Sequence, residues 1–249
     1  GDACLLSPDG AEGPCLTGIE TSELQVGWLP KSARLAVLRR SGLHGDFRID
    51  VFVRSGGSSE ILLERNAVGI AVDPQERWLA YIPLSRSQER VGVTFANRVG
   101  AGAELVRLAD EKRVRLDPGL PGRTGYLAFG PGGTHLYFSQ YLNDTNRDGQ
   151  IDGDDHSVLF RIPFEGDADN PVAGARPEQL TSARWDCHYP APTKDRLIMT
   201  CSHEGSLDIH ALPLEGAVPG GWDVARVQGE IEVARDLWTR LLLLGRVGD

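Results

Sequence analysis

The sequence has no excess of positive charge and no long apolar run, and each of these absences excludes a class of partner. Its 249 residues include 26 Lys and Arg against 35 Asp and Glu, so the formal net charge is −9. A nucleic-acid backbone needs a basic surface, and this balance excludes such a partner. No apolar run approaches the roughly 18 residues that a membrane-spanning helix requires, so no transmembrane segment is predicted.

Motifs of the common enzyme classes are also missing. There is no Gly-x-Ser-x-Gly nucleophile turn, no phosphate-binding glycine loop and no His-Glu-x-x-His zinc motif. His188, His203 and His210 could line one edge of a sheet as a metal or lyase site. No acidic residue stands at a diagnostic spacing from them, however, so ordinary polar histidines are the favoured interpretation. The sequence therefore predicts no catalytic residues.

Cysteine is scarce, and its four residues form two local pairs. Cys4 and Cys15 flank a short Gly- and Pro-rich stretch that a covalent bridge would stabilise. Cys187 and Cys201 lie at equal distances from Lys194, which sits in a turn, so an antiparallel hairpin would place them opposite one another. Two disulfides would indicate an oxidising compartment, whereas the alternative is four free, buried thiols. The spacing contains no Cys-x-x-Cys, so a thiolate zinc site is not expected.

Glycine and proline are abundant instead, and they mark an internal repeat. Four segments share one frame, which consists of an apolar residue, a proline turn that ends in polar residues, and a strand. The frame prolines are Pro30, Pro74, Pro131 and Pro192. Further strands follow each frame, and such a unit buries its sheet faces only against its neighbours, which predicts antiparallel four-stranded blades of a β-propeller. The large residues expected to pack between blades are Trp28, Trp78, Phe129 and Trp185.

The repeat resembles that of the TolB-like, or WD40-like, β-propellers of the bacterial envelope. The likeness extends from Glu23 to Gly216. The matching segments are Asp73-Pro74 with Leu79-Ala80-Tyr81, then Gly205-Ser206-Leu207-Asp208-Ile209-His210, and Asp50-Val51-Phe52. The resemblance implies an all-β propeller with four visible blades, completed by further blades or by another chain. It also implies a periplasmic or extracellular protein with protein partners in the cell envelope.

Two functions stay open for a chain with this architecture. The first is a non-enzymatic protein-interaction or scaffold module. The second is a propeller enzyme, such as a lyase, or a domain that gates a peptidase, because one fold hosts all of these activities. The missing catalytic motifs favour the first function.

The hydrophobic period changes after the repeats, and this change defines the domain organisation. Residues 1–20 form an N-terminal segment with a local disulfide, residues 21–219 form the propeller repeats, and residues 220–249 are predicted to form an α-helix. This helix would pack on the propeller or begin a helical-repeat region. Its apolar stripe consists of Val224, Val227, Ile231, Ala234, Trp238 and Leu241.

One segment carries a specific chemical motif, a twelve-residue acidic loop at 144–155. Gly149 stands at the sixth position, where a calcium loop turns sharply. The spacing is similar to the dockerin version of the EF-hand loop, although strands rather than helices flank it, which predicts an insertion in a β-hairpin. The predicted ligands are Asp144, Asn146, Asp148, the backbone carbonyl of Gln150, Asp152 and Asp155.

The charge of this loop favours a bound cation over the alternative, which is a solvated acidic loop. The segment holds five aspartates and one arginine, and these carboxylates repel one another unless a cation or water separates them. A flexible set of many oxygen ligands suits Ca²⁺ better than Mg²⁺, zinc or copper. The sequence therefore predicts one Ca²⁺ ion that orders the loop.

Overall fold

The protein is described from a computed structural model, which covers residues 4–6, 12–15, 21–41, 47–53, 59–63, 67–83, 99–100, 102–116, 119–203 and 206–214. Every regular element in these ranges is a β-strand, and the strands form five antiparallel sheets. Over the same ranges, no helix has the length and apolar character needed to cross a membrane. The all-β prediction is confirmed, and the helix predicted at 220–249 lies outside the described residues.

Four of the sheets are the predicted blades, of which blades 1 and 2 have the four strands expected, while among the described residues blade 3 has five and blade 4 has three. They follow one another along the chain, except that β9 of blade 3 precedes β10 of blade 2. Blade 1 consists of β3 (Thr21–Leu29), β4 (Arg34–Ser41), β5 (Phe47–Val53) and β6 (Ser59–Leu63). Blade 2 consists of β7 (Ala67–Val72), β8 (Trp78–Pro83), β10 (Ala103–Arg107) and β11 (Arg113–Leu116). Blade 3 consists of β9 (Val99–Gly100), β12 (Arg123–Phe129), β13 (His135–Tyr141), β14 (Ser157–Pro163) and β15 (Glu178–Gln179). Blade 4 consists of β16 (Asp186–Pro192), β17 (Arg196–His203) and β18 (Ser206–Pro213). Each frame proline lies in, or directly before, the turn that joins the first two long strands of its blade.

The fifth sheet is a short N-terminal ribbon of β1 (Cys4–Leu6) and β2 (Glu12–Cys15). Its backbone register places Cys4 opposite Cys15, as a bridge between them requires. Their side chains lie outside the described residues, so this disulfide stays a prediction. The proposed domain boundaries likewise stay a prediction.

Three hydrophobic cores lie between successive blades, so each sheet is buried by its neighbours rather than by a helix layer. Trp78 is fully buried between blades 2 and 3, where its indole N–H donates to the Gly166 carbonyl at 2.7 Å. Truncating a large aromatic at such a position costs about 3–5 kcal/mol. Trp185 is buried in the core between blades 3 and 4, and Phe129 packs on the core of Trp78.

Trp28 does not follow this prediction, because 43% of its surface is exposed. Successive residues of a strand point to opposite faces of the sheet. Its neighbour Leu29 is fully buried against blade 2, so Trp28 lies on the face of blade 1 that points away from blade 2.

The first long strand of each blade, here called the inner strand, contacts the inner strand of the next blade. The inner strands are β3, β7, β12 and β16. Each pairs irregularly with the second long strand of its own blade, at a β-bulge or similar register shift. The inner strand of blade 4 carries Asp186 and His188, and His188 contacts Tyr141 and Ser157 of blade 3.

The proline turns of successive blades are joined by side chains. The carboxylate of Asp73 is fully buried and accepts hydrogen bonds from the backbone N–H of Gln75 and from Arg77 Nε, the latter at 2.7 Å. Arg77 Nη2 then donates to the Gly133 carbonyl in the next turn at 3.1 Å. These contacts explain why blade 2 carries Asp and Arg in its frame.

Glu76 joins the same turn to blade 1. Its Oε1 accepts hydrogen bonds from the backbone N–H groups of Lys31 and Ser32. Glu76 adopts a positive φ of 58°, and Gly133 adopts a φ of 63° at the equivalent position of blade 3. The turn needs this conformation, which glycine adopts without cost.

The second predicted disulfide is present. Cys187 on β16 stands directly opposite Cys201 on β17, and the two are bonded. Both residues are fully buried in the core between blades 3 and 4. The symmetry about Lys194 therefore predicted the correct register.

Candidate functional site

The acidic loop projects from the hairpin that joins the second and third long strands of blade 3. Tyr141, the last residue of β13, pairs with Ser157, the first residue of β14. The predicted insertion in a β-hairpin is therefore correct. Most of the loop is exposed to solvent, and Asp155 is its buried residue.

The first half of the loop is folded by hydrogen bonds from its own backbone to its own side chains. Asp144 accepts from the N–H of Asp148 at 3.2 Å and from that of Gly149 at 2.8 Å. Asn146 Oδ1 accepts from the N–H of Asp148 at 2.9 Å. Gly149 has a φ of 89° and Arg147 a φ of 64°, which produces the sharp turn expected at this point.

The second half continues the same pattern. The N–H of Gln150 donates to Asp148 Oδ1 at 2.8 Å, and the N–H of Asp154 donates to Asp152 Oδ1 at 2.9 Å. Asp148 and Asp152 each accept through Oδ1, whereas Asp144 accepts through both of its carboxylate oxygens. These turns orient the side chains at the first, third, fifth and ninth positions of the loop.

Asp155 connects the two ends of the loop. Its Oδ1 accepts from the N–H of Thr145 at 2.6 Å, from the Thr145 hydroxyl at 3.0 Å and from the N–H of Asn146 at 3.2 Å. Its Oδ2 accepts from the N–H of Asp152 at 2.9 Å. Burial alone would raise the pKa of Asp155, but these donors stabilise the carboxylate and lower the pKa below its usual value.

The donor atoms of the loop fit a hard cation. The predicted ligand atoms are carboxylate, amide and backbone carbonyl oxygens, and no sulfur or imidazole is among them. Across the described ranges, no three His, Cys, Asp or Glu side chains already converge at metal-binding separations. An ion in this loop would therefore draw the exposed carboxylates inward while Asp155 holds the loop ends together.

A second group of polar side chains lies where the loop meets blade 4. His188 Nε2 is 2.7 Å from Asp186 Oδ1, and its Nδ1 is 3.0 Å from Ser157 Oγ and 3.3 Å from the Tyr141 hydroxyl. Burial opposes ionisation of Asp186, but the hydrogen bond and charge of His188 lower the pKa of this carboxyl. Burial raises the pKa of Tyr141, so its phenol stays neutral.

This group contains an Asp, a His and a Ser in contact, but its serine is not placed for nucleophilic attack. Ser157 is fully buried, and its hydroxyl donates to the Cys187 carbonyl. Sequence reasoning found no acidic partner for His188. The alternation of Asp186 and His188 on one strand, two residues apart, was the available signal.

Among the described side chains, no metal-binding group joins His188 to His210. His210 is buried, its ring packs edge-on against Trp185 with centroids 5.6 Å apart, and its Nδ1 has no hydrogen-bond partner. The side chain of His203 lies outside the described residues.

Comparison with known proteins gives no match by sequence and clear matches by fold. No family model and no curated protein matches the chain. TolB from Acinetobacter baumannii superposes with a TM-score of 0.60 at 13% identity, over 86% of this chain and 47% of TolB. The chain has a TolB-like β-propeller fold. A putative TolB from Agrobacterium tumefaciens gives a TM-score of 0.58 at 15% identity, over 86% of this chain and 77% of that protein.

The same TolB-like propeller fold occurs in an enzyme. An oligogalacturonate lyase in complex with manganese superposes with a TM-score of 0.54 at 13% identity, over 86% of this chain and 56% of the lyase. The chain spans about half the length of this lyase and of the Acinetobacter TolB. Identities this low establish the fold, and the activity has to be argued from the side chains.

Proposed function

We propose that this chain is a non-enzymatic, calcium-binding β-propeller that acts as a protein-interaction or scaffold module in the bacterial envelope. The observation that carries the proposal is the acidic loop, in which Asp144, Asn146, Asp148 and Asp152 are oriented by backbone N–H groups around the turn at Gly149. Such a folded set of oxygen donors is suited to a calcium ion.

In this proposal, the side chains of Asp144, Asn146, Asp148 and Asp152 and the Gln150 carbonyl bind the ion directly or through water. Asp155, at the twelfth position, completes the ligand set or supports it through its bonds to the loop backbone. Bound calcium neutralises part of the repulsion between the carboxylates and orders the loop.

An oxidising compartment is supported by the Cys187–Cys201 disulfide. The fold shared with TolB supports the envelope as the location and a protein as the partner. The exposed aromatic surface of Trp28 on an inner strand is typical of a binding surface.

The second candidate is a propeller enzyme or a peptidase-associated domain. The fold shared with the lyase and the hydrogen-bonded Asp186–His188 pair favour it. The buried hydroxyl of Ser157 argues against nucleophilic catalysis. Turnover of oligogalacturonate or of peptides by the purified chain would favour this candidate over the first.

Isothermal calorimetry and thermal unfolding with and without calcium test the proposal. We expect calcium to bind below millimolar concentration and to raise Tm, because a ligand at 100 times its Kd stabilises a protein by about 2.7 kcal/mol. Asp148→Asn should abolish both effects. Asp154→Asn removes the same charge from a residue outside the ligand set and should preserve both.

The outcome that contradicts calcium binding is an absence of heat and of any Tm shift in the parent protein. An equal loss of calcium affinity in Asp148→Asn and Asp154→Asn would instead indicate a diffuse ion atmosphere around an acidic loop. Removal of either charge weakens such an atmosphere to the same extent.

A further inference from the structure

Two tyrosines adopt a backbone conformation that the propeller elsewhere assigns to glycine. Gly69 is the extra residue of the bulge in β7 and has a φ of 75°. Tyr126 is the extra residue at the equivalent bulge of β12 and has a φ of 39°. Tyr189 lies in the register irregularity of β16 and has a φ of 53°. The backbone has a positive φ at all three positions, and glycine occupies one of them.

The left-handed conformation costs a bulky residue of the order of 1–3 kcal/mol, and core packing does not repay this cost here. Tyr189 is 56% exposed, and Tyr126 is half-buried. Their ring centroids are 4.3 Å apart and their hydroxyl oxygens 3.3 Å apart. These two residues, here called the tyrosine pair, therefore present aromatic surface to solvent at the junction of blades 3 and 4.

The ring of His188 packs against both tyrosines of the pair. The His188 ring lies 5.5 Å from the Tyr126 ring and 6.1 Å from the Tyr189 ring. His188 is itself held by Asp186 at 2.7 Å and by Ser157 at 3.0 Å. A supported, partly exposed aromatic surface is a preorganised binding site, because little side-chain freedom is lost when a ligand binds.

Acidic side chains lie close to the tyrosine pair, and Asp186 is paired with the His188 ring that packs on both tyrosines. The acidic loop begins three residues after Tyr141 and ends two residues before Ser157, and both of these residues contact His188. The loop holds five aspartates and one arginine, so it stays acidic with one calcium ion bound. Arg123 adds one positive charge at its base, where it donates to the Ile151 carbonyl. Negative potential and the π faces of tyrosine both attract a cation.

We propose that the tyrosine pair binds an arginine side chain presented by a segment of a partner protein. Arginine is favoured over lysine because its planar, weakly hydrated guanidinium stacks on aromatic rings. The inference rests on the proposed function, since it gives the interaction module a site and a partner chemistry.

The test uses tripeptides and the tyrosine ring resonances of the full chain. The probes are acetyl-Gly-Arg-Gly-amide and its citrulline counterpart, in which the guanidinium is replaced by a neutral group of the same shape. With ring-labelled tyrosine, we expect the arginine peptide to shift the resonances of Tyr126 and Tyr189, and the citrulline peptide to bind at least tenfold more weakly. Equal shifts with both peptides would overturn the role of charge.

Substitutions separate a binding role from a structural one. Tyr126→Gly and Tyr189→Gly should abolish arginine binding while Tm is no lower than in the parent protein, because glycine adopts this conformation freely, as Gly69 does. Tyr126→Phe and Tyr189→Phe keep the rings and should keep most of the affinity. Leu207→Ala removes an exposed apolar side chain from another strand of blade 4 and should leave arginine binding unchanged. Glycine variants that melt well below the parent would show that the tyrosines are structural, which overturns the inference.

The outcomes also distinguish this inference from the calcium proposal. A chain that binds calcium but shows no tyrosine shift with arginine refutes the inference and leaves the calcium loop intact. Arginine-dependent shifts in a chain that binds no calcium support the inference and refute the calcium assignment. A neutral oligosaccharide that shifts these resonances when arginine does not would assign the pair to carbohydrate and refute the inference.

Discussion

The carboxylate of Asp155 accepts a hydrogen bond from the backbone N–H of Thr145 at 2.6 Å, so the last residue of the acidic loop holds its second residue. Two further N–H groups, from Asn146 and Asp152, donate to the same side chain. This side chain is buried, whereas Asp148 and Asp154 are exposed. The loop therefore combines a structural carboxylate with solvent-facing ones.

We predict that Asp155→Asn destabilises the protein even without calcium. An amide keeps one acceptor oxygen and loses the charge, and loss of buried, charge-assisted hydrogen bonds costs about 1–3 kcal/mol. Urea unfolding in a chelator would measure the change. Asp154→Asn is the control and should change stability by less than about 0.5 kcal/mol; equal values for both variants would contradict the structural role of Asp155.

We predict that Gly133→Ala weakens the link between blades 2 and 3. An added Cβ would lie 2.5 Å from Asp73 Oδ1 and 3.0 Å from Arg77 Nη2, at a φ of 63°. Strain and displacement of the ion pair together should cost about 2–3 kcal/mol, measurable by thermal unfolding. Gly132→Ala meets only ordinary contacts with Thr134 at 3.9 Å and should be close to neutral. An unchanged stability in Gly133→Ala would show that the contacts of Asp73 and Arg77 with this turn do not stabilise the protein.

We predict that blade 4 loses stability when the Cys187–Cys201 bond is removed. The bond closes a loop with a sequence separation of 14, for which chain entropy predicts a contribution of about 3 kcal/mol. The double variant Cys187→Ala with Cys201→Ala should show this loss in urea unfolding. A reductant should lower the free energy of unfolding of the parent protein by the contribution of this bond. The double variant lacks the bond and should not show that part of the loss.

We predict that acid weakens the fold through His210. Burial lowers the pKa of this imidazole, and the charge of Asp208 opposes the shift only in part. The unfolded chain binds a proton near pH 6.5, whereas the folded chain resists it, so stability is full above this pH and falls as the pH drops below it. The slope from one such group is at most about 1.4 kcal/mol per pH unit.

Urea unfolding at pH 7.5 and 5.5 measures this effect. His210→Gln should lose less stability over this interval than the parent protein. His156→Gln, at an exposed position, should behave like the parent. An unchanged pH dependence in His210→Gln would assign the acid sensitivity to other groups.

The architecture was predictable from the sequence because its signals are local and repeated. Proline turns mark the first hairpin of each blade, and the symmetry of Cys187 and Cys201 about a turn predicts the observed register. The acidic loop was predictable as an insertion because strand patterns flank it. These features depend on backbone conformation and spacing, which turn residues report directly.

Other features depend on contacts between side chains of different blades. No local sequence pattern predicts such contacts. Tyrosine carries no signal for a positive φ, so the tyrosine pair was not predicted. Trp28 was expected in a core, but strand alternation turns it to the opposite face from Leu29. The hydrogen bonds of Asp155 need the folded loop, since its donors come from both ends of that loop.

The direct pairing of Tyr141 with Ser157 has a consequence for engineering and for evolution. The hairpin ends cleanly at the base of the acidic loop, and the loop folds largely through bonds within itself. We therefore expect this segment to keep its fold when it is transferred to another hairpin. Grafted onto the matching hairpin of another blade, it would install the same cluster of oxygen donors without disturbing the sheet below.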